Sequence, residues 1–298
     1  MDGKALVCSM RSDLDDDAGP IAGLIVNAAM NGGADRVLLA IYTSGDADTT
    51  LPYAHNLAAH LTNSGLLVGD ALLVHADRFW SLMCLDAGCC PREGNPIPAG
   101  TTQLESERVA QGLLAVAPSR EVLADLYAPR PELVADPQIY RSASRFLGLT
   151  LAVRCEQAIS YLRLLVAATH RPDHRLVERE PVELARIRLT PLLDDITVRD
   201  YLLGTLSSGP DDPASAEALT QLALTAPKEV RPAVAVTAAV AQAAFAGSPV
   251  AIWALLDLAE ETSLARLMSG AIHAGFTPGQ IREVLVSALP EVRERITT

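Results

Sequence analysis

From Pro232 to Leu256 the chain carries no Asp, Glu, Lys or Arg. A run of this length either crosses a bilayer or lies inside a protein core, so it restricts the fold more than any other stretch. It is mostly alanine, includes Thr237, Gln242 and Ser248, and is interrupted by "GSP" at Gly247–Pro249. Gly247 suits the left-handed end of one helix, Ser248 the cap of the next, and Pro249 its first turn. The segment is therefore predicted to be two buried helices of a soluble protein, with no membrane span.

The same punctuation recurs around it. "APKEVRP" and "GFTP" break the tail into helices of about a dozen residues, with Gly275, Thr277 and Pro278 placed like the residues of "GSP". Short breaks between such helices make antiparallel hairpins, so residues 214–298 read as a helical-hairpin array resembling one or two units of an α-solenoid. "SSGPDDP" at 207–213 is linker-like. Upstream, residues 101–206 read as a helical segment. Thr102 and Glu105 have the spacing of a capping box, Ser119 can cap a short helix, 138–169 reads as a long, nearly uninterrupted helical segment ended by "THRPDH", and 181–206 as one or two more helices, the second beginning near Thr197.

Residues 1–100 alternate instead. Apolar runs at 5–10 and 36–43 read as strands, and 20–32 and 51–64 as helices. Two further apolar runs around "HADRF" read as a hairpin. Helices between continuous apolar strands predict a layered α/β domain, and the hairpin makes its small sheet mixed. The fold class expected is an α/β N-terminal half followed by an all-α C-terminal half.

Charge excludes one class of partner. The formal net charge is −12, which repels phosphate backbones and argues against nucleic-acid binding. Arg141, Arg145 and Arg154 share a helical face only in part and read as a solvated face. The opening residues lack the pattern of a signal peptide, and five cysteines without an export signal predict a reducing cytoplasm.

No phosphate-binding loop, dinucleotide fingerprint or nucleophile elbow is present in the sequence. His55 and His60 are five apart, off the i, i+4 geometry of a zinc helix, and Pro172 breaks the chain between His170 and His174. Arg11 and Asp13 lie on one face at the end of the first predicted strand, where α/β folds often hold ligands. Acids there either hold a magnesium ion or favour the positive start of the next helix.

"CLDAGCCPREG" places Cys84, Cys89 and Cys90 in seven positions. Three thiols in one turn supply at most three ligands to a metal, with His75 or Asp86 near in sequence and no second pair elsewhere. A transient disulfide from Cys84 to Cys89 or Cys90 is a second reading. The expectation carried forward is a structured turn of buried thiols packed against Trp80 and the following helix, holding no zinc and no other cofactor.

These residues also carry a resemblance. "RFWSLMCLDAGCCPREGNPIP" followed by "ERVAQGLLAVAPSREVLADLYAP" is similar to an actinobacterial family called domain of unknown function 4192. Its pattern is an R-W-W-S-like strand, a cysteine, C-C-P-x-x-G, a helix and "PSRE-x-L". The similarity continues through "VRDYLLG", "AP-x-x-x-RP" and "LARLMSGAIHAGFTPGQIREVL". The resemblance implies one integrated fold, an actinobacterial or phage origin, and an N-terminus shortened relative to the family. It implies no activity and no catalytic residues.

The functional expectation is a cytoplasmic, non-catalytic binding or regulatory protein, which contacts a protein partner or small ligand and is able to form oligomers. Arg11, Asp13, His75, Trp80, Cys84, Cys89 and Cys90 are its candidate ligand-binding residues. The alternatives are an enzyme at the strand ends of the α/β half and a thiol-based redox sensor.

Overall fold

The structure is a computed structural model, and it describes residues 17–97, 122, 125–130, 148–169, 179–210, 212–245, 247–259 and 262–297. The expected strand at 5–10, Cys8, Arg11, Asp13, the capping box at Thr102, Ser119, Arg141, Arg145, His170 and His174 lie outside them. The chain divides into two units, residues 1–117 with 271–277, and residues 118–270 with 278–298.

In the first unit, helix α1 (Ala18–Gly32) is followed by β1 (Arg36–Thr43), α2 (Ala47–Asn63), β2 (Leu67–His75), β3 (Arg78–Ser81) and the short β4 (Asn95–Pro96). Asp17 caps α1 by accepting from the Gly19 N–H at 3.0 Å, and Asp46 caps α2. The sheet order is β1-β2-β3-β4, with β1 parallel to β2 and the other pairs antiparallel. This is the expected mixed sheet. Leu39 and Ile41 of β1 and Val68, Ala71 and Leu73 of β2 pack with α1 and α2. The parity of β2 changes between Val68 and Ala71 because a bulge sets Val37 opposite Val68 but Leu38 opposite Asp70. The extra residue is Gly69, where a Cβ would press on Arg36 and Leu38. Asp70 then accepts from the Ser81 hydroxyl at 2.9 Å and ties β2 to the end of β3.

The second unit is helical: α3 (Leu151–Thr169), α4 (Arg179–Leu192), α5 (Ile196–Ser207), α6 (Pro213–Leu224), α7 (Arg231–Ala244), α8 (Pro249–Leu258), α9 (Ser263–His273) and α10 (Pro278–Thr297), the last residues of α9 belonging to the first unit. The uncharged run is two helices, α7 and α8, as expected, and no helix among the described residues is long and apolar enough to cross a membrane. The role assigned to Gly247 is corrected. Its φ is not positive, and α7 ends at Phe245 with φ −110°. Glycine is needed there because the chain passes against Gln242, whose carbonyl would lie 2.9 Å from a Cβ and whose side-chain oxygen would be closer still. Gly275 does take the expected left-handed turn, at φ +76°.

Of the expected helical segment 138–169, residues 148–169 are described: Gly148–Thr150 precede α3, and Thr150 caps it by accepting from the Val153 N–H at 3.4 Å. The helices pair as hairpins at α6/α7 and α7/α8, but α10 returns to pack on α5. A solenoid keeps its contacts between neighbours, so this arrangement is a closed bundle. Gly204 permits the crossing, since a Cβ there would meet Leu289 at 3.0 Å. Arg154, expected on a solvated face, is instead largely buried in this framework and paired with the helix-capping Asp195 at 2.6 Å.

Candidate functional site: a three-thiol turn

Strand β3 sets up the turn that follows it. Alternation along the strand places Arg78 and Trp80 on one face, and both reach forward to the returning chain. The Arg78 guanidinium donates to the carbonyls of Glu93 at 3.2 Å and Gly94 at 2.9 Å. The Trp80 indole N–H donates to the Arg92 carbonyl at 3.0 Å. Gly94 has φ +78°, and a Cβ on it would lie 2.5 Å from the Trp80 ring. The indole therefore lies flush against bare backbone while also packing on the core of the sheet.

Asp86 reverses the chain. Its carboxylate accepts from the Gly88 N–H at 2.8 Å, and its carbonyl accepts from the N–H groups of Cys89 at 3.1 Å and Cys90 at 2.7 Å. Asn95, the first residue of β4, donates its amide to the Cys89 carbonyl at 3.0 Å. Side chains on both sides of the cysteines thus fix the main chain that carries them.

The outcome is a convergence of sulfurs. The Sγ atoms of Cys84, Cys89 and Cys90 all lie within 4.8 Å of one another. The expectation of buried thiols is corrected, because Cys89 is exposed and Cys84 and Cys90 are half-buried. The reversal at Asp86 turns the thiols toward each other, and Trp80 is occupied by Gly94. Nearby, Leu85 is 98% exposed and Met83 49% exposed.

The thiols differ in acidity. A main-chain hydrogen bond at Asp86, followed by one from Cys90, lowers the pKa of Cys84 from the ordinary thiol value. The reciprocal bond to Cys84 pushes Cys90 up to about 11, opposed by a main-chain bond at Ser81. The shifts place the Cys84 thiol below Cys90 in pKa.

Of the remaining candidates, His75 stands apart from the cluster. The antiparallel register pairs it with Arg78 at the closed end of the β2–β3 hairpin, while the chain departs toward Cys84 beyond Ser81. Its Nδ1 lies 3.2 Å from the Thr43 carbonyl. His55 and His60 are exposed on α2. Sequence reasoning missed Arg78, Gly94 and Asn95, and considered Asp86 only as a metal ligand, not as the residue that reverses the chain. The Arg-x-Trp alternation before a Pro-x-x-Gly turn was the available signal.

No curated protein and no solved structure matches the chain. A family model described as a domain of unknown function, DUF4192, matches residues 1–279. With that match spanning both units, the chain belongs to the DUF4192 family.

Proposed function

We propose that this protein is a non-catalytic regulatory protein of the cytoplasm that senses oxidants through a reversible disulfide between Cys84 and Cys90. The observation that carries the reading is the approach of the three sulfurs within 4.8 Å at the surface. Small side-chain rotations bring sulfurs at such a distance to bonding range. The lowered pKa of Cys84 and its hydrogen bond with Cys90 support the division of roles. A Cys89–Cys90 bond would instead strain the peptide unit between adjacent residues, which leaves Cys89 as the spare thiol.

With a peroxide as oxidant, the Cys84 thiolate attacks one oxygen and the O–O bond breaks. The departing hydroxide takes up a proton and leaves as water. The resulting sulfenic acid is attacked by the Cys90 sulfur, the S–S bond forms, and the second oxygen leaves as water. Two thiols lose two electrons and two protons, and the peroxide gains them. The exposed Leu85 and Met83 give a protein partner an apolar surface that this bond would reshape.

The test is peroxide treatment of the reduced full-length protein, followed by peptide mapping and re-reduction with a dithiol. The expected product is a Cys84–Cys90 crosslink that the dithiol removes. Recovery of Cys84 and Cys90 as free thiols after stoichiometric peroxide, or of irreversibly oxidised Cys84 alone, overturns the reading.

A further inference from the structure

The same three sulfurs have a second capacity that disulfide chemistry does not use. A metal bound to three thiolates at about 2.3 Å holds its sulfurs about 4 Å apart. The separations here, all within 4.8 Å, need to contract by less than about 1 Å to reach that spacing. We infer that reduced Cys84, Cys89 and Cys90 bind one soft metal ion of the copper(I) class, through three sulfurs and with no further protein ligand. The inference deepens the proposed function by naming a ligand for the reduced state of the same turn.

Three features favour this ion class. The donors are all sulfur, which selects soft ions over magnesium or calcium. No His, Asp, Glu or fourth Cys joins the three sulfurs among the described residues, so a tetrahedral ion would need an outside ligand, whereas a trigonal one is complete. The support around the sulfurs is also already built. The Asp86 carbonyl holds the N–H groups of Cys89 and Cys90, the Cys84 thiol donates to that same carbonyl at 3.9 Å, and Asn95 fixes the Cys89 carbonyl. Outer contacts of this kind orient ligands before the metal arrives. Cys89, redundant in a disulfide, is required in this site. Its exposure at the surface gives an ion direct access.

The experiment is an anaerobic titration of the reduced full-length protein with copper(I) buffered by a chromophoric chelator, with zinc(II) titrated in parallel. The expected result is one copper(I) taken from the chelator, with a sulfur-to-metal absorption band in the ultraviolet and protection of the turn from alkylation. Cys89→Ser should fold normally, because the residue is exposed, and should lose at least tenfold in copper(I) affinity while still forming the peroxide-driven crosslink. Copper(I) binding unchanged in Cys89→Ser, no uptake in competition with the chelator, or zinc(II) held more tightly than copper(I) would each overturn the inference. Failure to bind copper by protein that still forms the crosslink leaves the redox reading standing. Copper binding by protein that forms no crosslink overturns only the redox reading.

Discussion

Replacing Gly94 with alanine tests the bracing of the cysteine turn at its tightest point. The residue has φ +78°, a left-handed conformation that costs a residue bearing a Cβ about 1–2 kcal/mol. The added methyl would lie 2.5 Å from Trp80 Cε2 and 2.7 Å from Cζ2. Carbon atoms settle at about 3.5–4.0 Å, so the ring must withdraw by about 1 Å. Withdrawal breaks the bond from the indole N–H to the Arg92 carbonyl, now 3.0 Å, and adds about 1 kcal/mol. The expected loss is about 2–3 kcal/mol, read by urea unfolding. Only two tryptophans are present, so the change is best measured in a Trp253→Phe background, where Trp80 alone reports. Its emission should shift to the red as the ring gains water. Gly23→Ala is the control, because a Cβ there meets nothing within 4 Å in α1 and should be neutral or stabilising by up to about 1 kcal/mol. A loss below about 0.5 kcal/mol in Gly94→Ala, with unchanged Trp80 emission, would refute the bracing argument.

Gly247→Ala should destabilise by about 2–3 kcal/mol, because its methyl displaces Gln242 from a buried hydrogen bond to Thr220 of 2.9 Å; denaturant titration measures this, and a neutral result would show that the loop shifts freely. Burial raises the Cys155 thiol to about 11 from 9.0, so the unfolded chain ionises first. Stability should therefore fall as pH rises from 9.0 toward about 11, and Cys155→Ala should lack that part of the decline in unfolding curves. Native-state alkylation should label Cys84 well before Cys155, which is 1% exposed; equal labelling rates would contradict the assigned burial. Random duplex DNA should show no binding at physiological salt given the net charge of −12, and micromolar binding with a steep salt slope in a gel-shift titration would overturn that expectation.

What the sequence revealed followed from local chemistry. Residues 36–43 could be read as a strand because the apolar run alone sets its limits, and β1 is Arg36–Thr43. The helix breaks were legible because proline and glycine act over one or two residues. Gly247 was misassigned for the opposite reason. Its requirement comes from Gln242, whose place against the turn depends on its bond to Thr220 in another helix. The cysteine turn was legible as a turn, but its convergent sulfurs were not. They depend on the two N–H groups gathered by the Asp86 carbonyl and on Arg78 and Trp80 reaching across from β3. The separation of His75 from the thiols needed the hairpin register, which fixes the end of the strand at which each residue lies.

Residues 271–277 belong to the first unit although the rest of that unit lies within the first 117 residues. There the Asn31 side chain donates to the Ala274 carbonyl at 2.6 Å, and Gly275 lies so close to Ala28 that a Cβ would meet its Cα at 2.5 Å. A ribosome adding about 5–20 residues per second delivers that segment roughly 10–30 seconds after residue 117. During that interval the nascent α/β unit waits with part of its α1 surface open, so its last native contacts form only after nearly the whole chain has been made. A stop codon before residue 271 would therefore damage the beginning of the protein as well as its end.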